Sequence, residues 1–180
     1  MKLKEYSKLK EEMAIIKLMY ELDPGCCISF IIADDKEVQE YIKASISSID
    51  TKQIQAERII NYNFYENLEN TKENLKKFKN LCQEKGNLVI ASGIGKYAEY
   101  LEKNGQIPNK ESFYLTMFNL PRDNFYLKNN VKLVLLVNES EMKTFKSEAA
   151  DDFTSYASMI IDANKILRED NMQVQDIDER

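Results

Sequence analysis

The sequence predicts an α/β fold: a three-layer sandwich in which a mostly parallel, five-stranded sheet carries helices on both faces. Short apolar runs rich in β-branched residues recur at 26–33 (CCISFIIA), 87–92 (NLVIAS) and 131–137 (VKLVLLV). Runs that are apolar on both sides of the pleat belong to strands covered on both faces. Between them lie longer stretches whose apolar residues return every three or four positions, as on one side of a helix. Strand and helix alternate, so the strands are joined by crossovers rather than hairpins.

Taken in order, residues 6–22 form a helix whose inner stripe is Leu9, Met13, Ile16 and Tyr20, and Asp23-Pro24-Gly25 ends it. The first strand, 26–33, leads to Asp34 or Asp35, either of which can cap a helix with Val38, Tyr41, Ile42, Ser45 and Ile49 inside. A second strand is expected within 56–64, then a polar helix over 67–84 with Leu68, Leu75, Phe78 and Leu81 or Cys82 turned inward. The third strand, 87–92, runs into a Gly93-Ile94-Gly95 turn and a short helix over 96–103, followed by a loop at 104–108. Residues 111–129 are expected to be helical at both ends, with Phe113, Met117 and Leu120 inside and a kink at Pro121. After the fourth strand, 131–137, Asn138 or Ser140 caps a helix running to Phe153, and 158–162 is the fifth strand. Residues 1–170 are read as one domain and 171–180 as a flexible tail, with a short helix or tail from Asn164 onward.

Composition narrows the chemistry. With 180 residues, 43% hydrophobic and 31% charged, the chain suits one core of the usual size, roughly 100–200 residues. No apolar run approaches the roughly 20 residues of a membrane-spanning helix, and Met1-Lys2-Leu3-Lys4-Glu5 lacks the apolar stretch of a secretory signal, so a soluble, cytoplasmic protein without membrane contact is expected. A net charge of −5 argues against a nucleic-acid partner, which calls for a concentrated basic face. The basic stretch 72–79 is interrupted by Glu73 and reads as a solvated helix face. There is no histidine, which removes the commonest general base, the Ser-His and Cys-His nucleophiles and the commonest metal ligand. Cys26, Cys27 and Cys82 match neither a zinc spacing nor a closed disulfide framework, and read as small buried side chains.

Four constellations could still carry chemistry. Gly93, Gly95 and Lys96 follow a strand and open a helix, an arrangement able to cradle a phosphate. The P-loop pattern G-x-x-x-x-G-K-[ST] is not met, since Ile90 stands at its first glycine and Tyr97 at its Ser/Thr. Asp34 and Asp35 lie at the end of the first strand, where ligand crevices form in such sheets, but two carboxylates would repel a phosphate unless a magnesium ion intervened. The alternative is helix capping. Asp151-Asp152 reads as metal ligands or an acid-base pair, or as a solvated loop. Phe118, Asn119, Arg122, Asp123 and Phe125 form an Arg-Asp pair flanked by aromatics, which can lock a helix to the sheet or present a recognition surface.

The order of these motifs resembles a P-loop-like domain found at the N-terminus of bacterial STAND and tetratricopeptide-repeat signalling proteins, in a form lacking the Walker A motif. The resemblance rests on Asn119-x-x-Arg122-Asp123, the strand 132–137, Phe145, Glu148-Ala149 and Asp152-Phe153-x-Ser155-Tyr156. Phe30-Ile31-Ile32 followed by Asp34-Asp35, and Gly93 after the third strand, add to it, over roughly residues 9–161. It implies an ATPase-related sheet that has lost its nucleotide chemistry and serves as an assembly or sensing module in bacterial signalling or defence. Such proteins usually continue into repeats or an effector, so action in trans on a separately encoded protein is implied.

Three functions are therefore weighed. The first is a non-catalytic protein-interaction module with no cofactor, no metal and no catalytic residue. The second is a degenerate nucleotide switch using Gly93, Gly95 and Lys96 or Asp34 and Asp35. The third is a metal-dependent enzyme built on aspartates.

Overall fold

The apolar runs assemble side by side. The computed structural model describes residues 6–48, 58–66, 68 and 70–178, with backbone alone at Glu21 and 172–178. In chain order the elements are α1 (Ser7–Leu22), β1 (Cys27–Ile32), α2 (Lys36–Ser47), β2 (Arg58–Asn63), α3 (Thr71–Gln83), β3 (Asn87–Ser92), α4 (Ile94–Lys103), α5 (Lys110–Tyr114), β4 (Lys132–Val137), α6 (Glu139–Phe145), α7 (Asp151–Ser155), β5 (Met159–Asp162) and α8 (Ala163–Asp178). The five strands pair in parallel in the order β2-β3-β4-β1-β5. Every residue of β1 and β3 is buried, as continuous apolar runs require of inner strands.

Alternation along each strand sends side chains to two cores. On one face Ile28, Phe30, Ile32, Val89, Ala91, Leu133, Leu135 and Val137 meet α3 to α7 in a layer rich in aromatic rings. On the other face Cys27, Ile31, Leu88, Ile90, Val134 and Leu136 meet α1, α2 and α8, and this core is largely aliphatic. The stripe read from α1 is the observed one: Leu9, Met13, Ile16 and Tyr20 are all buried. Tyr20 Oη donates to Leu133 O at 2.8 Å and so ties α1 to β4. On α2 the buried residues are Val38, Ile42 and Ile46, while Tyr41 and Ser45 sit half-buried at the border and Ile49 lies outside the described residues. The expected start of β2 at residues 56 and 57 also lies outside them.

Four expectations are corrected. α4 begins at Ile94, so Gly93 alone makes the turn, with φ 71°, and Gly95 is inside the first helical turn. The helix expected to run from Asn138 to Phe153 is two helices, because Ser147 Oγ donates to Thr144 O (2.6 Å) where α6 ends and a turn intervenes before α7. Residues 171–178, read as tail, continue α8. Leu120, expected inside, is 63% exposed. Its reversal comes from the backbone: Leu115–Asn119 and Arg122–Leu127 are π-helical, with Leu120 N donating to Leu115 O at 2.9 Å. An i→i+5 turn holds about one residue more than an α turn, which shifts the phase of every residue beyond it.

Replacing Tyr20 with Phe removes the buried hydroxyl that bonds Leu133 O at 2.8 Å and approaches Cys27 O at 3.5 Å. Urea unfolding is expected to show a loss of about 1 kcal/mol with an unchanged m-value.

Candidate functional site

In a sheet of this kind the ligand crevice lies beyond the carboxyl ends of the strands, between neighbours whose following helices leave to opposite faces. Here those neighbours are β1 and β4. α2 packs on the aliphatic face and α6 on the aromatic one. The residues that meet there are Asp34 and Asp35 after β1, Asn138 and Glu139 after β4, and Gly93 to Lys96 after the adjacent β3.

Helix N-termini offer unpaired backbone N–H groups, and in nucleotide-binding sheets such donors hold phosphate. In this chain its own side chains take them. Asp35 Oδ1 caps α2, accepting from Glu37 N at 2.7 Å and Val38 N at 3.2 Å. Asp34 reaches the next helix instead: its Oδ1 accepts from Glu139 N, the first residue of α6, at 2.8 Å. Asp34 N in turn donates to Asn164 Oδ1 at 3.0 Å, bringing the start of α8 into the same cluster. Gln39 Nε2 donates to Ala33 O at 2.7 Å.

Glu141 completes the set, and the sequence reading did not single it out. Its Oε1 accepts from Gly95 N and its Oε2 from Asn138 N, both at 2.6 Å, while Asn138 Oδ1 accepts from Glu141 N at 2.7 Å. The i,i+3 relation of Asn138 and Glu141 is a capping-box spacing and was legible. The bond to Gly95, 46 residues away, was not. Burial raises the Glu141 pKa above the usual carboxylate range and Glu99 adds to the rise, whereas the bonds from Asn138 and Gly95 and the charge of Lys96 oppose it.

The two glycines now have a reason other than phosphate. A Cβ on Gly95 would come within 2.7 Å of Glu141 Cγ and Oε1. One on Gly93 would collide with Asn63 Oδ1, which accepts from Tyr65 N at 3.0 Å, and the left-handed φ of Gly93 disfavours a side chain in any case. Lys96 is exposed, with its Nζ 5.8 Å from the centre of the Tyr65 ring. Gly93, Gly95, Lys96, Asp34 and Asp35 thus lie at one end of the sheet, where Asp34, Asp35 and Gly95 N are bonded to Glu139, to Glu37 and Val38, and to Glu141.

The aromatic-flanked Arg-Asp pair lies on the aromatic face. Phe118 is fully buried and Asn119 nearly so; Phe125 is half-buried and Asp123 exposed. Asn119 Oδ1 accepts from Phe153 N at 2.8 Å, the third residue of α7, a helix whose own preceding residue, Ala150, has no capping side chain. Arg122 Nη1 donates to Asn119 O at 2.9 Å, and its ion pairs with Asp123 and Asp152 are long, 3.8 and 3.9 Å. Asn119 and Arg122 therefore lock the π segment to α7. Of this group, Asp123 faces outward with Tyr156, whose Oη donates to Asp123 Oδ1 at 3.2 Å.

Among the described residues no group of three or more His, Cys, Asp or Glu converges as a metal-ligand set. Asp151 and Asp152 lie exposed in the first turn of α7, where negative charge complements the helix dipole. Burial pushes the Cys26 thiol up to about 11 and raises Cys27 and Cys82 as well, so all three stay protonated near neutral pH. No described helix is long and apolar enough to cross a membrane. No family model, curated protein or solved structure matches the chain.

Asn119→Ala leaves Phe153 N buried without an acceptor and is expected to cost about 1–3 kcal/mol. Arg122→Ala, which loses one hydrogen bond and two long, partly solvated ion pairs, should cost less in the same unfolding experiment; the reverse ranking would remove Asn119 from its locking role. For Glu141, a folded-state pKa above the unfolded value means that the native state holds the proton longer. The Glu141 contribution to stability is thus largest below the unfolded pKa and declines as pH rises through the folded pKa. The stability of wild type relative to Glu141→Gln is expected to fall as pH rises above the usual carboxylate range, as measured by urea titration at each pH.

Proposed function

We propose that this chain is a non-catalytic protein-interaction or assembly module whose partner is another protein. In line with the resemblance drawn from its motifs, we place it in a bacterial signalling or defence system. The observation that supports the reading is the occupancy of the crevice. Backbone donors that a triphosphate would need at the ends of β1, β3 and β4 are bonded to Asp34, Asp35 and Glu141. Three carboxylates in that position also repel phosphate, and Lys96 is exposed with its Nζ 5.8 Å from the centre of the Tyr65 ring. A nucleotide switch, the competing reading, would have to displace these side chains from their own helix termini.

Thermal unfolding with and without ATP, GTP and Mg²⁺ tests it. A ligand present at 100 times its Kd stabilises by about 2.7 kcal/mol, which in a domain of this size is a rise of several degrees in Tm. No rise is expected, and Lys96→Ala is expected to keep both its stability and any partner binding. A clear rise with nucleotide, abolished by Lys96→Ala, would overturn the proposal in favour of the switch.

A further inference from the structure

An open groove of about 670 Å³ lies where α5 and its π-helical extension face the turn between α6 and α7. Leu115 and Ala149 supply its apolar lining, with Asn109, Ser112 and Ser147 as neutral polar groups. The charged residues that line it, Glu111 and Glu148, are both acidic. Leu115 is exposed, and Leu120, one hydrogen-bonded π turn further on, is the more exposed of the two. Asp152, also exposed, stands at the Leu120 end through its pairing with Arg122. Lys143 and Lys146 are exposed on and just after α6, but neither lines the groove.

Leu115 is exposed within the acidic-rimmed groove, and Leu120, outside the groove's lining, is exposed five residues further on. Isolated apolar residues are ordinary on a surface, whereas apolar residues grouped along a groove with charge at its edges have the anatomy of a binding site. π-helical turns are found frequently at functional sites. Charge decides which occupant fits. A phosphorylated peptide or an anionic membrane would meet Glu111, Glu148 and Asp152 and be repelled, whereas Lys or Arg would be attracted.

We propose that this groove docks a basic, amphipathic segment of the partner protein. Its aliphatic or aromatic side chains cover Leu115, Ala149 and Leu120, and its lysines or arginines stand beside Glu111, Glu148 and Asp152. The inference rests on the interaction reading above and adds to it the face and the chemistry of the partner.

A random-peptide display library selected against the full chain supplies the probe. The enriched peptides are expected to combine net positive charge with at least one large apolar residue, and to bind more weakly as salt is raised. The double variant Glu111→Lys/Glu148→Lys, both positions being exposed, is expected to weaken their binding at least tenfold, and Leu120→Asp to do likewise. Leu18→Asp, on the outer side of α1 across the sheet, should leave binding unchanged. Enrichment of acidic or uncharged peptides, no enrichment at all, full binding by the double variant, or self-association of the chain in place of peptide binding would each overturn the proposal. Selected peptides that bind the groove variants normally but fail on Leu18→Asp would sink the groove and leave the interaction reading standing. A nucleotide-dependent rise in Tm would sink the interaction reading itself.

Discussion

The first N–H groups of a helix have no acceptor within it, and in this sheet that requirement is concentrated at one end. Three helices begin within reach of one another beyond β1, β3 and β4, and a side chain that caps such a start is worth about 0.5–2 kcal/mol. Asp35, Asp34, Asn138 and Glu141 meet the demand from within the chain. Glu141 matters most, because its two oxygens serve donors from two different helix starts, Gly95 in α4 and Asn138 before α6. The close packing around it explains Gly95, and the neighbouring contact with Asn63 explains Gly93.

The same donors can hold a bound anion or a carboxylate of the chain, and the two occupants exclude each other. A phosphate brings its own charge and leaves; a side-chain carboxylate is permanent and places its negative charge where a second anion would have to enter. The raised pKa of Glu141 shows the tension in this arrangement, since two N–H bonds favour the ionised form and burial outweighs them. The carboxylates at the strand ends are the feature on which the interaction reading and the nucleotide reading differ.

Much of the architecture was legible in the sequence because it is written in local periodicity. The inner strands β1, β3 and β4 are continuous apolar runs, and the stripe Leu9, Met13, Ile16, Tyr20 follows an undistorted α-helix, so both were readable to within a residue or so. Asp35 as a cap follows from its place before a helix. What escaped depends on partners distant in sequence. Asp34 and Asp35 are adjacent and chemically alike, yet one caps its own helix and the other crosses the sheet to Glu139, 105 residues away. Likewise, Asn119 read either as a lock between helix and sheet or as part of a recognition surface, and nothing local reveals that its oxygen caps α7.

The π-helical turns show how the core shapes the surface on the far side of the same segment. Phe113, Tyr114, Met117, Phe118 and Asn119 are all buried, and Phe118 alone lies near Phe78, Phe113, Tyr114, Tyr126, Phe145 and Phe153. An α-helix turns about 100° per residue, so Met117, Phe118 and Asn119 would spread over about 200° of its surface. Widening the helix narrows that spread, and the phase change that seats the aromatic layer is also what swings Leu120 outward into line with Leu115. The exposure of Leu115 and Leu120 thus accompanies the packing of the aromatic face. A substitution that restored α-helical phase in this segment would take apart the core and the groove together.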